Sequence, residues 1–384
     1  MSASFPNPLN DADGDDALDD GEALCLSGGG YRAMLFHLGV LWRLEQAGVL
    51  ARVKRVSSVS GGSITAARLA LVWGEVRPGS PGALDRLVDR VVGPVRALAG
   101  RTLDADAIVG GILLPGSIGD RVAAAYRKAL FGDATLQDLP DAPRFVINAT
   151  NVQSGVLWRF SKPYMGDYRV GRVMNPDLSL ATAVAASSAF PPVLSPIEID
   201  LPAGAVAPDP KADLQREPFT TRVVLADGGV YDNMGLETAW KHYRTLYVSD
   251  GGARMRAEEE PKRDWPRHAY RVLDLIDNQV RALRKRSVIA AFTADPASPG
   301  ARRGAYWGIG TPVERYAAHS ARLPCPADAV AELAAVPTRL KRLDDRTQER
   351  LVNWGYAVSD AALRTHVDAA LPDPAGFPYP ASRV

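Results

Sequence analysis

The chain has 384 residues, 46% hydrophobic and 23% charged, the proportions of a globular protein with room for a large core. It carries 45 basic and 44 acidic residues, a net charge of +1, so no global field argues for nucleic acid. Two cysteines, Cys25 and Cys325, make neither a disulfide framework nor a metal knuckle and read as reduced thiols.

Residues 1–22 include Asp11, Asp13, Asp15, Asp16, Asp19 and Asp20 and lack an apolar core, so they read as a disordered acidic tail and not a signal peptide. No run reaches the roughly 18 apolar residues that cross a bilayer. Any membrane contact is therefore expected at the periphery.

Ala23 to Leu26 reads as a buried strand, followed by Ser27 and the glycines Gly28, Gly29 and Gly30. Tyr31 to Ala47 is then a helix, with Leu35, Leu38, Leu41, Trp42 and Leu44 near one stripe and Gly48 as its C-cap. His37 inside it reads as a structural histidine. Strand, glycine turn and helix together build an anion site, since the turn lets a ligand approach the backbone and the helix start offers free N–H groups. A second such unit follows: a strand over Arg52–Val59, the turn Ser60-Gly61-Gly62-Ser63, and a small-residue helix from Ile64 to Trp73. Ser60 sits where a strained elbow would expose a nucleophile, although the usual first glycine of that pattern is here Ser58.

Gly79 to Ala99 is a punctuated link and helix. Ile108 to Pro115 is an apolar piece that serves as core or as a flap for a substrate tail, and Asp120 to Leu130 is helical. Arg144–Thr150 and Val156–Phe160 form a hairpin through Gln153-Ser154-Gly155. Leu180 to Ser188 is a helix of small residues ended by Pro191. Strands follow at Pro196–Leu201 and Thr221–Ala226, the second opening onto Asp227-Gly228-Gly229. Thr245–Val248 is another strand, leading to Ser249-Asp250-Gly251-Gly252. A long helix spans Pro266 to Phe292, with Leu273, Ile276, Val280 and Leu283 on one face. Arg281, Arg284, Lys285 and Arg286 near its end read as a solvated helix terminus, the competing reading being a membrane-facing patch. Polar helical pieces are expected at Leu333–Leu343 and Thr347–Trp354, and an irregular tail after Leu371.

Alternating strands and helices imply an α/β sheet covered on both faces. Two chemistries compete for its glycine turn. Gly28-x-Gly30-x-x-Ala33 fits a permissive dinucleotide fingerprint, but no acidic residue lies between Val49 and Ser63 to hold a ribose, leaving Arg52, Lys54 or Arg55 to meet a ribose phosphate. No Walker lysine follows. In an acyl-transfer site the turn would be an oxyanion hole, Ser60 the nucleophile and an aspartate its base. Asp227 ranks first for that role, ahead of Asp250 and Asp232.

Ser27-Gly-Gly-Gly-Tyr-Arg-Ala33, Ser58-Val-Ser-Gly-Gly62 and Asp227-Gly-Gly229, in that order, resemble the patatin-like phospholipases, and the first motif is similar to the cytosolic phospholipase A2 branch. The resemblance covers roughly Ala23 to Gly252, including the small-residue block around Ala185 to Pro192. It implies a three-layer α/β/α fold with a central mostly parallel sheet, and a Ser60–Asp227 dyad with no histidine in the chemical step. Gly28, Gly29 and Gly30 map to the oxyanion hole, and Arg32 to a contact with the substrate phosphate, a structural salt bridge being its competing role. The implied activity is that of a phospholipase A or lysophospholipase, cytoplasmic, without metal or cofactor. Residues 1–22 are then a tail, 23–252 the catalytic core and 253–384 a helical extension packed on it. A phosphate-binding regulatory protein, or an inactive relative, is the alternative.

Overall fold

The computed structural model describes residues 18–103, 118–192, 194–253, 255–317 and 321–384. Its spine is one mixed sheet of eleven strands among the described residues. These are β1 (Asp19–Leu26), β2 (Val53–Val59), β3 (Arg144–Asn151), β4 (Val156–Phe160), β5 (Tyr164–Asp167), β6 (Gly171–Met174), β7 (Ile197–Asp200), β8 (Val206–Ala207), β9 (Arg222–Asp227), β10 (Tyr243–Asp250) and β11 (Arg303–Gly308). The order β11-β10-β1-β2-β3 is parallel throughout, and antiparallel strands continue it through β4, β5, β6 and β8. The expected hairpin of β3 and β4 is present.

Alternation along β1 divides the core. Leu24 and Leu26 join the large apolar cluster on one face, while Ala23 and Cys25 join a smaller one with Met234, Leu246 and Val288 on the other. Helices that carry the argument are α1 (Gly30–Gln46), α2 (Gly61–Leu71), α3 (Leu180–Ser187), α4 (Gly229–Asp232), α5 (Trp265–Thr293) and α6 (Asp345–His366). The sheet with helices on both faces is the three-layer arrangement expected.

Three local expectations change. The acidic tail ends earlier than expected, because Asp19–Glu22 already pair in β1, and residues 1–17 lie outside the described residues. The apolar stretch from Ile108 to Pro115 also lies outside them. The C-terminal third supplies more than helices, because β11 extends the parallel sheet beside β10.

Its helix α6 is part of the core. Side chains at Gly39 of α1 and Gly355 of α6 would run into the facing helix backbone, at Val352 and Phe36, so these glycines let two helices touch. Arg43 Nε meets Asp360 Oδ1 at 2.7 Å and Arg364 Nε meets Asp360 Oδ2 at 3.0 Å, both pairs buried. The expected helix over Leu333–Leu343 is interrupted: the helix there stops at Ala334, three residues before Pro337, whose ring and missing N–H cannot continue it.

Candidate active site

Sheet register brings the two candidate catalytic side chains together. On β3, β4 holds one edge over Ile147–Asn151. The other edge is shared: β2 runs parallel until Val59 faces Asn148, and β9 runs antiparallel until Asp227 faces Ala149. The two strands therefore end nose to nose. Ser60, the residue after β2, is delivered to Asp227, the last residue of β9.

Ser60 has φ +51° and ψ −121°, a conformation costly for any residue with a Cβ. It is the strained elbow expected from the sequence. Several groups hold it there. Its N–H donates to Ser187 Oγ at 3.0 Å, and Ser187 Oγ donates to Asn148 O at 2.7 Å. Ser63 Oγ bridges Ser187 Oγ at 2.9 Å and Ser58 Oγ at 3.0 Å. Asn148 Nδ2 in turn donates to Ser58 O and Ser57 Oγ. Ser58, the departure from the usual elbow pattern, thus belongs to a buried hydroxyl network that braces the turn.

Asp227 is buried and, among the described residues, has no cation paired with it. Its Oδ1 accepts the Gly229 N–H at 2.6 Å, and its backbone is held by Thr150 Oγ1 at 2.8 Å and Ala189 O at 2.9 Å. Burial pushes its carboxyl up to about 7, against the lowering pull of the Gly229 N–H and a hydrogen bond from the Ser60 side chain; nearby Asp277 adds to the rise. A carboxylate that titrates near neutrality and faces a hydroxyl has the properties of a general base.

The glycine turn lies against this pair. Gly29 and Gly30 have φ +144° and +60°, conformations open to glycine. Among the described residues neither N–H donates a hydrogen bond, so both are free at the start of α1. Gly28 differs. Its N–H is committed to Asn233 O at 2.9 Å, and a Cβ there would lie 3.0 Å from Ser60 Cβ. Gly28 therefore gives room, while Gly29 and Gly30 offer donors. Gly61 and Gly62 are required for the same closeness, since side chains there would strike the Gly30 and Leu26 carbonyls.

Arg32 does not open onto this site. It is fully buried: Nε donates to Gly251 O at 3.0 Å, Nη2 to Thr338 Oγ1 at 2.9 Å, and Nη1 to Val336 O. Burial, with Arg281 nearby, lowers its guanidinium to about 10, still charged at neutral pH. These contacts fit the competing structural role: Arg32 clamps the chain here, and no contact to a substrate phosphate stands on this geometry. The irregular stretch after Ala334 crosses the start of α1, where Arg339 O also accepts the Tyr31 N–H at 3.0 Å.

Two further elements were not singled out for the site by sequence. His37 lies beneath the turn, with Nε2 2.9 Å from Ser27 O and Nδ1 2.9 Å from Ser249 Oγ. Burial lowers it to about 4, so it is neutral: Nε2–H donates to the carbonyl and Nδ1 accepts the serine proton. Helix α5 covers the neighbouring strand end. Arg281 Nη2 meets Asp250 at 3.1 Å, and Arg284 reaches Asp232 at 3.7 Å and Glu237 at 3.5 Å. Two of the four basic residues expected at a solvated helix end thus turn inward.

A serine elbow thus stands beside a buried aspartate and free backbone donors on a mixed α/β sheet. The family model for patatin-like phospholipase matches residues 24–240, and the chain belongs to that family of lipid acyl hydrolases. No curated protein sequence matches the chain. Among solved structures, human GIVD cytosolic phospholipase A2 is similar, with a TM-score of 0.52 and 15% identity over 93% of this chain and 63% of that one. The same human enzyme in complex with methyl gamma-linolenyl fluorophosphonate gives 0.51 and 16% identity over 89% of this chain and 57% of that one. The chain thus spans less than two thirds of these neighbours, and at such identity the likeness concerns the fold.

Proposed function

We propose that the protein is a serine acyl-ester hydrolase acting on phospholipids, a phospholipase A or lysophospholipase. One observation carries the reading: strained Ser60 stands beside the buried carboxyl of Asp227, which burial pushes up to about 7. Ser60 Oγ attacks the ester carbonyl carbon as its proton passes to the Asp227 carboxylate. The oxyanion that forms is received by the Gly29 and Gly30 N–H groups, with the positive end of α1 behind them. Collapse expels the alcohol, which takes the proton from Asp227 and leaves an acyl-Ser60 ester. Water then gives a proton to Asp227 as it attacks the acyl carbon, and collapse frees the fatty acid while Ser60 Oγ takes that proton back from Asp227, restoring the hydroxyl and the carboxylate. Every proton in this cycle is handled by one carboxyl, so no histidine is needed.

The names of the structural neighbours support a phospholipid as substrate, and the fluorophosphonate complex of one supports a serine nucleophile. The protein meets its substrate at the membrane periphery. Among the described residues no helix is long and apolar enough to cross a bilayer. The test is fatty acid release from phosphatidylcholine in mixed micelles. Release is expected from the wild type and not from Ser60→Ala. Release that survives Ser60→Ala would assign the chemistry to another group.

A further inference from the structure

Helix α5 has two faces with different commitments. The inward face is fixed to the site through the Arg281–Asp250 and Arg284–Asp232 pairs, and Val288 is its buried apolar anchor. The outward face carries exposed apolar side chains. Trp265, Val272, Ile276 and Leu283 recur at spacings of seven, four and seven, which places them on one line of the helix. Trp265 is 82% exposed, Leu273 57%, Leu283 55% and Ile276 52%. Buried side chains are the rule for residues of this size, and a contiguous exposed row of them marks a contact surface. The helix lies outside residues 24–240, the stretch matched by the family model.

We propose that the outer face of α5 docks the protein on a phospholipid bilayer, with Trp265, Val272, Leu273, Ile276 and Leu283 entering the head-group region. The inference rests on the hydrolase reading, because it presents the site to its substrate's own phase. Three observations favour a lipid surface over a second copy of the chain. Of the six basic residues of the helix, Arg281 and Arg284 turn inward; the other four, Arg267, Arg271, Lys285 and Arg286, outnumber Asp274 and Asp277, a modest basic excess that anionic lipid attracts and a second copy would oppose. Aromatic and aliphatic residues on one face with arginines on the flanks suit a helix lying in a membrane interface. The apolar exposure also continues at the site: Val230, next to Gly229, is 53% exposed, and Tyr168, near enough to Tyr231 to act on its phenol, is exposed too. Tyr231 itself lies under Arg284 of α5, 5.9 Å from the ring centre. Ahead of the helix, Glu258 pairs with Arg271 at 3.6 Å and Asp264 with Arg267 at 2.7 Å, and both temper the basic charge. The apolar row therefore supplies most of the affinity, and the preference for anionic lipid is modest.

The test is co-sedimentation of the full chain with vesicles of phosphatidylcholine, alone and mixed with phosphatidylglycerol. The variants are Trp265→Ser and the pair Leu273→Ser with Ile276→Ser. Wild type is expected to bind both vesicles, the mixed ones more tightly. The paired variant should lose about tenfold or more in partitioning, from the apolar area withdrawn. Its melting temperature and its turnover of a soluble short-chain ester should stay unchanged, while turnover of vesicle phospholipid falls. Unchanged partitioning of both variants overturns docking, even if ester hydrolysis is intact. A wild type that ignores vesicles but sediments as a dimer dissociated by the same substitutions overturns it in favour of a second copy. Vesicle binding by a chain without ester hydrolysis would instead sink the hydrolase reading and leave the docking surface standing.

Discussion

The tripeptide Asp-Gly-Gly occurs twice, at Asp227 and at Asp250, each time at the end of a buried strand, and the two aspartates do opposite things. Asp227 has backbone N–H and hydroxyl partners but, among the described residues, no cation, so burial dominates and its carboxyl rises to about 7. Asp250 is equally buried, yet Arg281, the Gly252 N–H and the Tyr306 hydroxyl outweigh the effect of burial and hold it below the usual carboxylate range. One is poised to exchange a proton near neutral pH. The other is a fixed charge that ties α5 to the sheet. Burial alone does not make a base; burial without a counter-charge does.

Exchanging the groups one at a time should break the symmetry between these turns. Ser60→Ala and Asp227→Asn should each lower kcat for ester hydrolysis by at least about 10⁴-fold, and the double variant should be little worse, because the two act as a unit. Steady-state kinetics on a soluble ester check this. Gly30→Ala should cost about 10²–10³-fold in kcat by displacing an oxyanion donor, since a side chain there meets the Arg339 backbone at 2.7 Å and a φ of +60°. Asp250→Asn should act on the fold, lowering stability by about 3 kcal/mol because Arg281 is left buried without its main partner. Denaturant melts measure that loss, and the fraction that stays folded should still react at Ser60.

Asp227→Asn should move stability the other way. Its folded value, about 7, lies above the ordinary 3.8, so above pH 7 the native state carries a desolvated charge that the unfolded chain hydrates freely. Replacing it by the neutral amide should raise the melting temperature at pH 8. The gain should shrink as pH falls from 7 toward 4, where the wild-type carboxyl is protonated in the folded state. The smallest expected effect concerns Arg32→Met, which should cost about 1–3 kcal/mol of stability through unmet buried carbonyls. It should lower turnover of phosphate-free esters and of phospholipids by the same factor. A loss confined to phospholipids would restore the phosphate contact.

The glycine turn, the serine elbow and the aspartate turn were legible in the sequence because each is written in local terms: strand, small residues, helix. The parallel sheet core and the long helix α5 were legible for the same reason. What was hidden depends on residues far along the chain. Nothing near Arg32 announces that Val336 and Thr338 will occupy its guanidinium. Nothing near Asp250 announces Arg281, and the two Asp-Gly-Gly turns read alike until that cation arrives. Strand β11 escaped because Arg303–Gly308 is short and has glycines at Gly304 and Gly308. Pro337 was a readable stop to the helix expected over Leu333–Leu343, and it marks the stretch that crosses the glycine turn. The paired serines at Ser57-Ser58 and Ser187-Ser188 were a visible sign of the network under the elbow, since buried hydroxyls must find partners.

The proposed hydrolysis requires that Asp227 activate Ser60. The direct measurement is the rate of fluorophosphonate labelling of Ser60 against pH, for wild type and Asp227→Asn, with the labelled peptide identified by mass. The wild-type rate should rise about tenfold per pH unit below about 7 and level off above it, as the carboxyl loses its proton. Asp227→Asn should label Ser60 at least about a hundredfold more slowly, with no such step. A label on Ser60 with the same pH profile in both proteins would contradict it.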